Sequence, residues 1–171
     1  GLGAPTSGSV SVDGLDVSEN GKELRKKIGF IFSDAENQIV MPNVRDDVAF
    51  SLRRFKLPKQ QRIELVDAAL ERFKLTDLAG NSPHTLSGGQ KQMLAMAAIL
   101  VIDPILILAD EPTGNLDSQN SREIVDLLKT SNKKYNQTLI VITHDEQIAL
   151  QADRIIAIED GKIVRDEVIR S

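Results

Sequence analysis

Three aliphatic runs, each ending in polar side chains, set the tightest limit on what this chain can fold into. Ile28-Gly29-Phe30-Ile31-Phe32 ends at Ser33-Asp34, and Ile105-Leu106-Ile107-Leu108-Ala109 ends at Asp110-Glu111. Leu139-Ile140-Val141-Ile142 ends at Thr143-His144-Asp145. Near-continuous apolar runs of this length fit strands buried on both faces of a parallel sheet, because a strand with one wet face would alternate. Ligands of open α/β sheets gather at the carboxyl ends of the strands. All three runs place their polar groups there, so an α/β fold with its chemistry on that rim is expected.

Helical patterns lie between the runs. Residues 60–73 carry Ile63, Leu65, Val66, Ala69, Leu70 and Phe73 on one stripe after the Leu57-Pro58 turn. Ser87 is a candidate N-cap for a helix running to about Val101, apolar on most sides through Met93, Leu94, Met96, Ala97 and Leu100. Residues 118–130 carry Ile124, Leu127 and Leu128 on a stripe. The Asp160-Gly161 turn predicts a hairpin over 154–164, and residues 9–14 read as a second hairpin-like element. Residues 43–83 are helical and more polar, which predicts a helical lobe at about 43–100 hung on the sheet. With 171 residues, one substantial core is expected. A net charge of −4 argues against a general nucleic-acid binder. The absence of cysteine excludes disulfides and thiolate metal sites. The most apolar stretch, 93–109, is interrupted by Asp103-Pro104 and is too short to span a bilayer. No signal peptide is visible.

The chemistry is read from two stretches twenty residues apart. Leu86-Ser87-Gly88-Gly89-Gln90 puts a hydroxyl and two glycines at a helix start. Backbone N–H groups point outward there, no Cβ blocks close approach, and the helix dipole favours an anion of phosphate size. Asp110-Glu111, at the end of a buried strand, supplies what such a site still needs: a metal ligand and a base for water. Together they point to nucleoside triphosphate chemistry. Taken alone, Ser-Gly-Gly is an ordinary helix-start turn, an acidic pair an ordinary loop, and His144 a structural histidine. Arg53-Arg54, Lys26-Lys27, Lys59 and Lys133-Lys134 read as solvated faces, His84 as a loop residue, and Tyr135 as the anchor of a helix-to-strand turn.

The order and spacing of these motifs resemble the ATP-binding cassette (ABC) family across essentially the whole chain. Leu86–Gln90, extended by Lys91-Gln92, resembles its signature, and Asp110-Glu111-Pro112-Thr113 its Walker B strand. Gly114-Asn115-Leu116-Asp117 resembles its D-loop, and Thr143-His144-Asp145 its switch histidine. The resemblance implies a P-loop NTPase type of α/β fold with a mainly parallel sheet and a helical subdomain. It implies ATP and Mg²⁺ as ligands, with Asp110 holding Mg²⁺ through water. Glu111 would polarise the attacking water, its like-charged neighbour favouring proton acceptance. His144 would contact the γ-phosphate and sense its loss. Ser87, Gly88, Gly89 and Gln90 would bind the nucleotide held by a second ATPase subunit, identical or not, in a head-to-tail dimer. Asp117 would lie at the dimer seam, or simply cap the following helix; both readings stand together. The implied partners are transmembrane transporter subunits, and the implied place is cytoplasmic, on the inner face of the membrane.

Residues 28–52, with Asp46-Asp47-Val48-Ala49-Phe50, resemble the energy-coupling-factor importers of biotin and cobalt type, which implies vitamin or metal-ion import. From Gly114 through Lys162 the resemblance is to the lipoprotein-release and macrolide-export group, so an intermediate lineage and a composite both stay open. Two departures stand out. No Gly-x-x-x-x-Gly-Lys-Ser/Thr occurs in these residues: Gly21-Lys22 has Asp16 and Glu23, and Gly161-Lys162 has Ile156 and Ile163, at the defining places. Residues 1–8 resemble the stretch just after the P-loop helix, so the chain is expected to be truncated at its N-terminus. These 171 residues are therefore expected to bind ATP weakly, hydrolyse it negligibly, and expose a sheet edge that favours association. Second, Ser33 stands where the Q-loop glutamine belongs, with Gln38 five residues on. A catalytically dead binding module and a non-transport ABC ATPase acting on nucleic acid are the alternative functions.

Overall fold

The computed structural model describes residues 5–170. At its centre are three parallel strands, β3 (Ile28–Ile31), β4 (Leu106–Asp110) and β5 (Thr138–Ile142), in the order β3-β4-β5. Ile28 pairs with Leu106 and Leu106 with Thr138, so the three carboxyl ends, Phe32-Ser33, Asp110-Glu111 and Thr143-His144, reach one rim. Two short hairpins flank this sheet in sequence: β1 (Ser11–Val12) with β2 (Leu15–Asp16), and β6 (Arg154–Glu159) with β7 (Lys162–Val168). Both turns, Asp13-Gly14 and Asp160-Gly161, have positive φ at both central residues, as tight hairpin turns require. The stretch on which the P-loop-helix reading rests begins with residues 1–4, which lie outside the described residues.

The helices are α1 (Gly21–Lys27), α2 (Val44–Ser51), α3 (Lys59–Arg72), α4 (Gly88–Leu100), α5 (Ser118–Tyr135) and α6 (Glu146–Ala149). From 43 to 100 every regular element is helical. These helices do not build a separate interior. Val48, Leu70, Phe73 and Leu94 belong to one buried cluster with Ile31 and Ile107 of the sheet and Ile124 and Leu128 of α5. Helix α5 runs five residues beyond the predicted end, to Tyr135, and stops at Asn136 in the left-handed conformation. The extension carries no apolar stripe. It is held by Ser131, fully buried and donating to Gln137, and by the Tyr135 ring under the Arg72 guanidinium at 4.9 Å.

Two expectations need correction. The strands are not buried on both faces. Ile31, Ile107 and Ala109 are wholly buried on the face that α4 and α5 cover, whereas Phe30, Ile140 and Ile142 stand 36%, 48% and 54% exposed on the other. Among the described residues no layer covers that second face, and Phe30 and Phe32 pack there on each other, ring centroids 4.5 Å apart. Nor is Arg54 simply solvated. It reaches 29 residues back to donate to the Arg25 carbonyl at 2.7 Å, and burial pushes its pKa down.

Candidate functional site

The carboxyl rim is built around Glu111. Its N–H donates to the Ile142 carbonyl at 2.9 Å, extending the β4–β5 ladder one residue past Asp110. Its φ is +45°, a left-handed conformation that is uncommon for a residue with a side chain and more so before a proline, here Pro112. Strain of this sort costs about 1–3 kcal/mol and persists only where surrounding bonds enforce it. Those bonds are visible. Glu111 Oε1 accepts from the His144 N–H at 2.9 Å and lies 2.7 Å from His144 Nδ1, while the Thr143 hydroxyl lies 3.4 Å from Oε2. The His144 side chain is 86% exposed and that of Glu111 26%.

The chemistry of this pair follows from its geometry. With Nδ1 turned to a carboxylate, the exposed Nε2 is the nitrogen left to meet a ligand. Oε1 is shared by two donors, so Oε2 is the oxygen with room for a water. The Glu111 hydrogen bond and charge hold the His144 imidazole above histidine's ordinary value, with Asp145 adding to the effect. A raised imidazole contributes stability that is whole below about pH 6.5 and is lost as pH climbs through the folded-state value. An NMR titration of His144 is expected to show its midpoint above that of free histidine, returning toward it in Glu111→Gln. An unshifted His144 midpoint in the unsubstituted protein would contradict the pairing.

Asp110 sits half-buried beside Glu111 at the end of β4, opposite Ile142. A cleft of about 660 Å³ opens next to the pair, lined by Glu111, Thr113, Leu116, Arg122, His144 and Gln147. Among the described residues no three His, Cys, Asp or Glu side chains cluster as a metal cage. Asp110 thus fits a cation that takes most of its ligands from water and phosphate, as Mg²⁺ does, and does not fit a protein-enclosed metal.

Ser87 caps α4. Its hydroxyl accepts from the Gln90 N–H at 3.3 Å, and the Gln90 side chain accepts from the Ser87 N–H at 2.9 Å, a reciprocal capping box. Gly88 is exposed and open: a Cβ there would meet only Leu116, at 3.9 Å. Gly89 is different. It is buried, and a Cβ on it would lie 2.5 Å from Asn120 Oδ1 of α5. The second glycine is thus a close helix-to-helix contact. Among the described residues no hydrogen bond joins this stretch to the Glu111–His144 pair.

Asp117 caps α5, accepting from the N–H groups of Gln119 and Asn120, both at 2.9 Å, and from Asn120 Nδ2 at 2.6 Å. These bonds, those of Asn120 foremost, hold its carboxyl below the usual carboxylate range. The capping reading of Asp117 is therefore what this chain displays. The Gln38 amide is committed to the backbone at the end of β3: Nε2 donates to the Phe30 carbonyl at 2.8 Å and Oε1 accepts from the Phe32 N–H, one residue past the strand, at 2.9 Å. The Ser33 carbonyl accepts from Asn115 Nδ2 at 3.1 Å. Sequence reasoning gave no role to Asn115 or Gln92, whose contacts are to backbone carbonyls 82 and 60 residues away, or to Asn120, whose amide donates to the Asp117 carboxylate three residues back.

A parallel sheet with an acidic pair and a histidine on one rim, beside a helix opened by Ser-Gly-Gly, is the layout of an ATP-binding cassette. The chain superposes on cbiO1 from Clostridium perfringens, part of the ABC transporter complex cbiONQ. The TM-score is 0.91 at 32% identity, covering 99% of this chain and 69% of that one. It superposes equally fully on the dimeric ATP-binding cassette MJ0796 bound to ADP and Pi, with a TM-score of 0.86, 32% identity and coverage of 99% and 77%. The ABC transporter profile matches residues 1–114, and the chain belongs to that family. It is 40% identical over 167 residues to the energy-coupling factor transporter ATP-binding protein EcfA1 of Ligilactobacillus salivarius, covering 97% of this chain and 59% of that relative. The likeness to the energy-coupling-factor group thus extends past residues 28–52 to nearly the whole chain.

Proposed function

We propose that this chain is the greater part of an ATP-binding subunit whose ATP hydrolysis drives import of a vitamin or metal ion through separate membrane subunits. The strained, doubly anchored Glu111 beside His144 is the observation that supports it most. In this reading Mg·ATP lies between the signature stretch of one chain, Ser87 to Gln90, and the P-loop of another. Asp110 would hold Mg²⁺, which supplies charge neutralisation at the phosphates. Glu111 takes a proton from the attacking water at Oε2, and His144 presents Nε2 to the γ-phosphate. Asp117, besides capping α5, would face the partner subunit. Likeness to EcfA1 and to cbiO1 favours import, and the absence of any described helix long and apolar enough to cross a membrane fits a peripheral subunit on its inner face.

A dead binding module is the second reading, favoured by Ser33 standing where the family's Q-loop has glutamine. Phosphate release separates the two. The 171 residues alone are expected to release phosphate from Mg·ATP no faster than their Glu111→Gln variant. The full-length subunit is expected to turn over, and to lose that turnover in the same variant. A full-length subunit indifferent to the substitution supports the dead module and ends the hydrolytic reading.

A further inference from the structure

The charges of this chain are segregated. Residues 22–27 and 51–62 together carry nine of its 21 cations and one of its 25 acids, so these two stretches are strongly basic and the remainder is strongly acidic. The fold joins the two stretches. Arg54, in the single helical turn Leu52–Arg54, donates to the carbonyl of Arg25 in the last turn of α1 at 2.7 Å. The one acid, Glu23, is taken up by Lys27, which also pairs with Asp13. Arg25, Lys26, Arg53, Lys56 and Lys59 are all exposed, and none of them forms an ion pair among the described residues.

Helix electrostatics accounts for only part of this patch. Arg25 and Lys26 stand in the last turn of α1, where the helix dipole favours cations. Lys59 is the first residue of α3, where the dipole disfavours them, and the first turns of α1, α2 and α6 carry acids instead. The patch also holds an exposed ring. Phe50, in the last turn of α2, is 42% exposed, and the Arg53 guanidinium lies 5.4 Å from its centroid. Arg54 lies likewise over Phe55, at 5.6 Å. Unpaired cations around an aromatic ring match a membrane interface, where rings sit at headgroup level and cations meet lipid phosphates.

We propose that Arg25, Lys26, Arg53, Lys56 and Lys59, with Phe50, form a docking surface for anionic lipid headgroups. The acidic remainder of the molecule repels a polyanion that wraps around it, whereas a flat anionic surface meets the basic patch alone. The proposal rests on the transporter reading only in taking the chain to work beside a membrane.

Cosedimentation of the full-length subunit with protein-free vesicles tests it. Binding is expected to vesicles of equal parts phosphatidylcholine and phosphatidylglycerol, to weaken as salt is raised, and to be absent with phosphatidylcholine alone. Combining Arg53→Gln, Lys56→Gln and Lys59→Gln is expected to weaken binding about 10²-fold, at about fivefold for each surface cation. If the triple variant melts early, Lys56→Gln alone carries the test. Lys133→Gln with Lys134→Gln, in the last turn of α5, removes cations outside the patch and is expected to leave binding unchanged. No binding to the anionic vesicles, equal binding to neutral ones, or equal loss in the α5 pair would overturn the proposal. So would binding to duplex DNA as tight as to the anionic vesicles, which marks a general polyanion surface. Phosphate release from Mg·ATP keeps the two readings apart. Turnover without vesicle binding removes the lipid surface and leaves the hydrolytic reading standing. Vesicle binding without turnover supports the surface and ends the hydrolytic reading.

Discussion

Glu111→Gln is expected to lower ATP turnover of the full-length subunit by about 10²–10⁴-fold, the range of a lost general base. The substitution is close to isosteric. Its amide oxygen can still accept from the His144 N–H, so the loop over 143–145 has reason to stay in place. What disappears is the carboxylate charge, and with it both the acceptor for a water proton and the partner that raises His144. Two readouts therefore move together: phosphate release collapses, and the His144 titration shifts down toward ordinary histidine. A loss of turnover with His144 unmoved would mean that the two side chains do not work as a pair. Retained turnover would remove Glu111 from the chemistry altogether. A melting temperature close to that of the unsubstituted protein is also expected, because glutamine keeps the acceptor for the His144 N–H. The His144 side of the contact is 86% exposed, and pairs with one solvent-exposed member contribute little to stability.

The parts of this site that could be read from the sequence are those set by local pattern. Three aliphatic runs ending in polar residues were enough to place Ser33, Glu111 and His144 on one rim, since parallel strands in register bring their carboxyl ends together. The cap of α4 was equally legible, because Ser87 and Gln90 are three residues apart and a capping box is a local motif. What stayed hidden depends on distant pairs. Nothing local to Gln38 says that its amide pairs with a strand edge six to eight residues back. Nothing in Asn115 announces a bond to a carbonyl 82 residues away. The uncovered face was illegible for another reason. A run such as Leu139-Ile140-Val141-Ile142 is written for two covered faces, and composition does not say whether the second layer lies within the described residues. Helix α1 was missed because its seven residues bury one apolar side chain, Leu24, too little to make a stripe.

Gly89→Ala is expected to destabilise the fold by about 1–3 kcal/mol, the usual cost of forcing one extra carbon into a filled space. The new Cβ would sit 2.5 Å from Asn120 Oδ1 and 2.7 Å from Asn120 Cγ, closer than real Cβ contacts come. A long side chain could swing its end aside at small cost. Asn120 is short, and its Nδ2 is already bonded to the Asp117 carboxylate at 2.6 Å, so moving it loosens the cap of α5. The strain therefore falls on two helix starts together, α4 through Gly89 and α5 through Asn120 and Asp117. Gly88→Ala provides the contrast, because a Cβ there meets only Leu116 at 3.9 Å, an ordinary contact. Chemical denaturation should thus place Gly88→Ala near the unsubstituted protein and Gly89→Ala well below it. Asn120→Ala is expected to lower stability by itself through the lost bond to Asp117, yet to absorb most of the Gly89→Ala cost when the two are combined. That non-additivity marks a direct clash. Strictly additive effects would mean that Gly89 acts through backbone freedom alone, and the close helix contact would then play no part in setting how the signature stretch meets the loop 113–117.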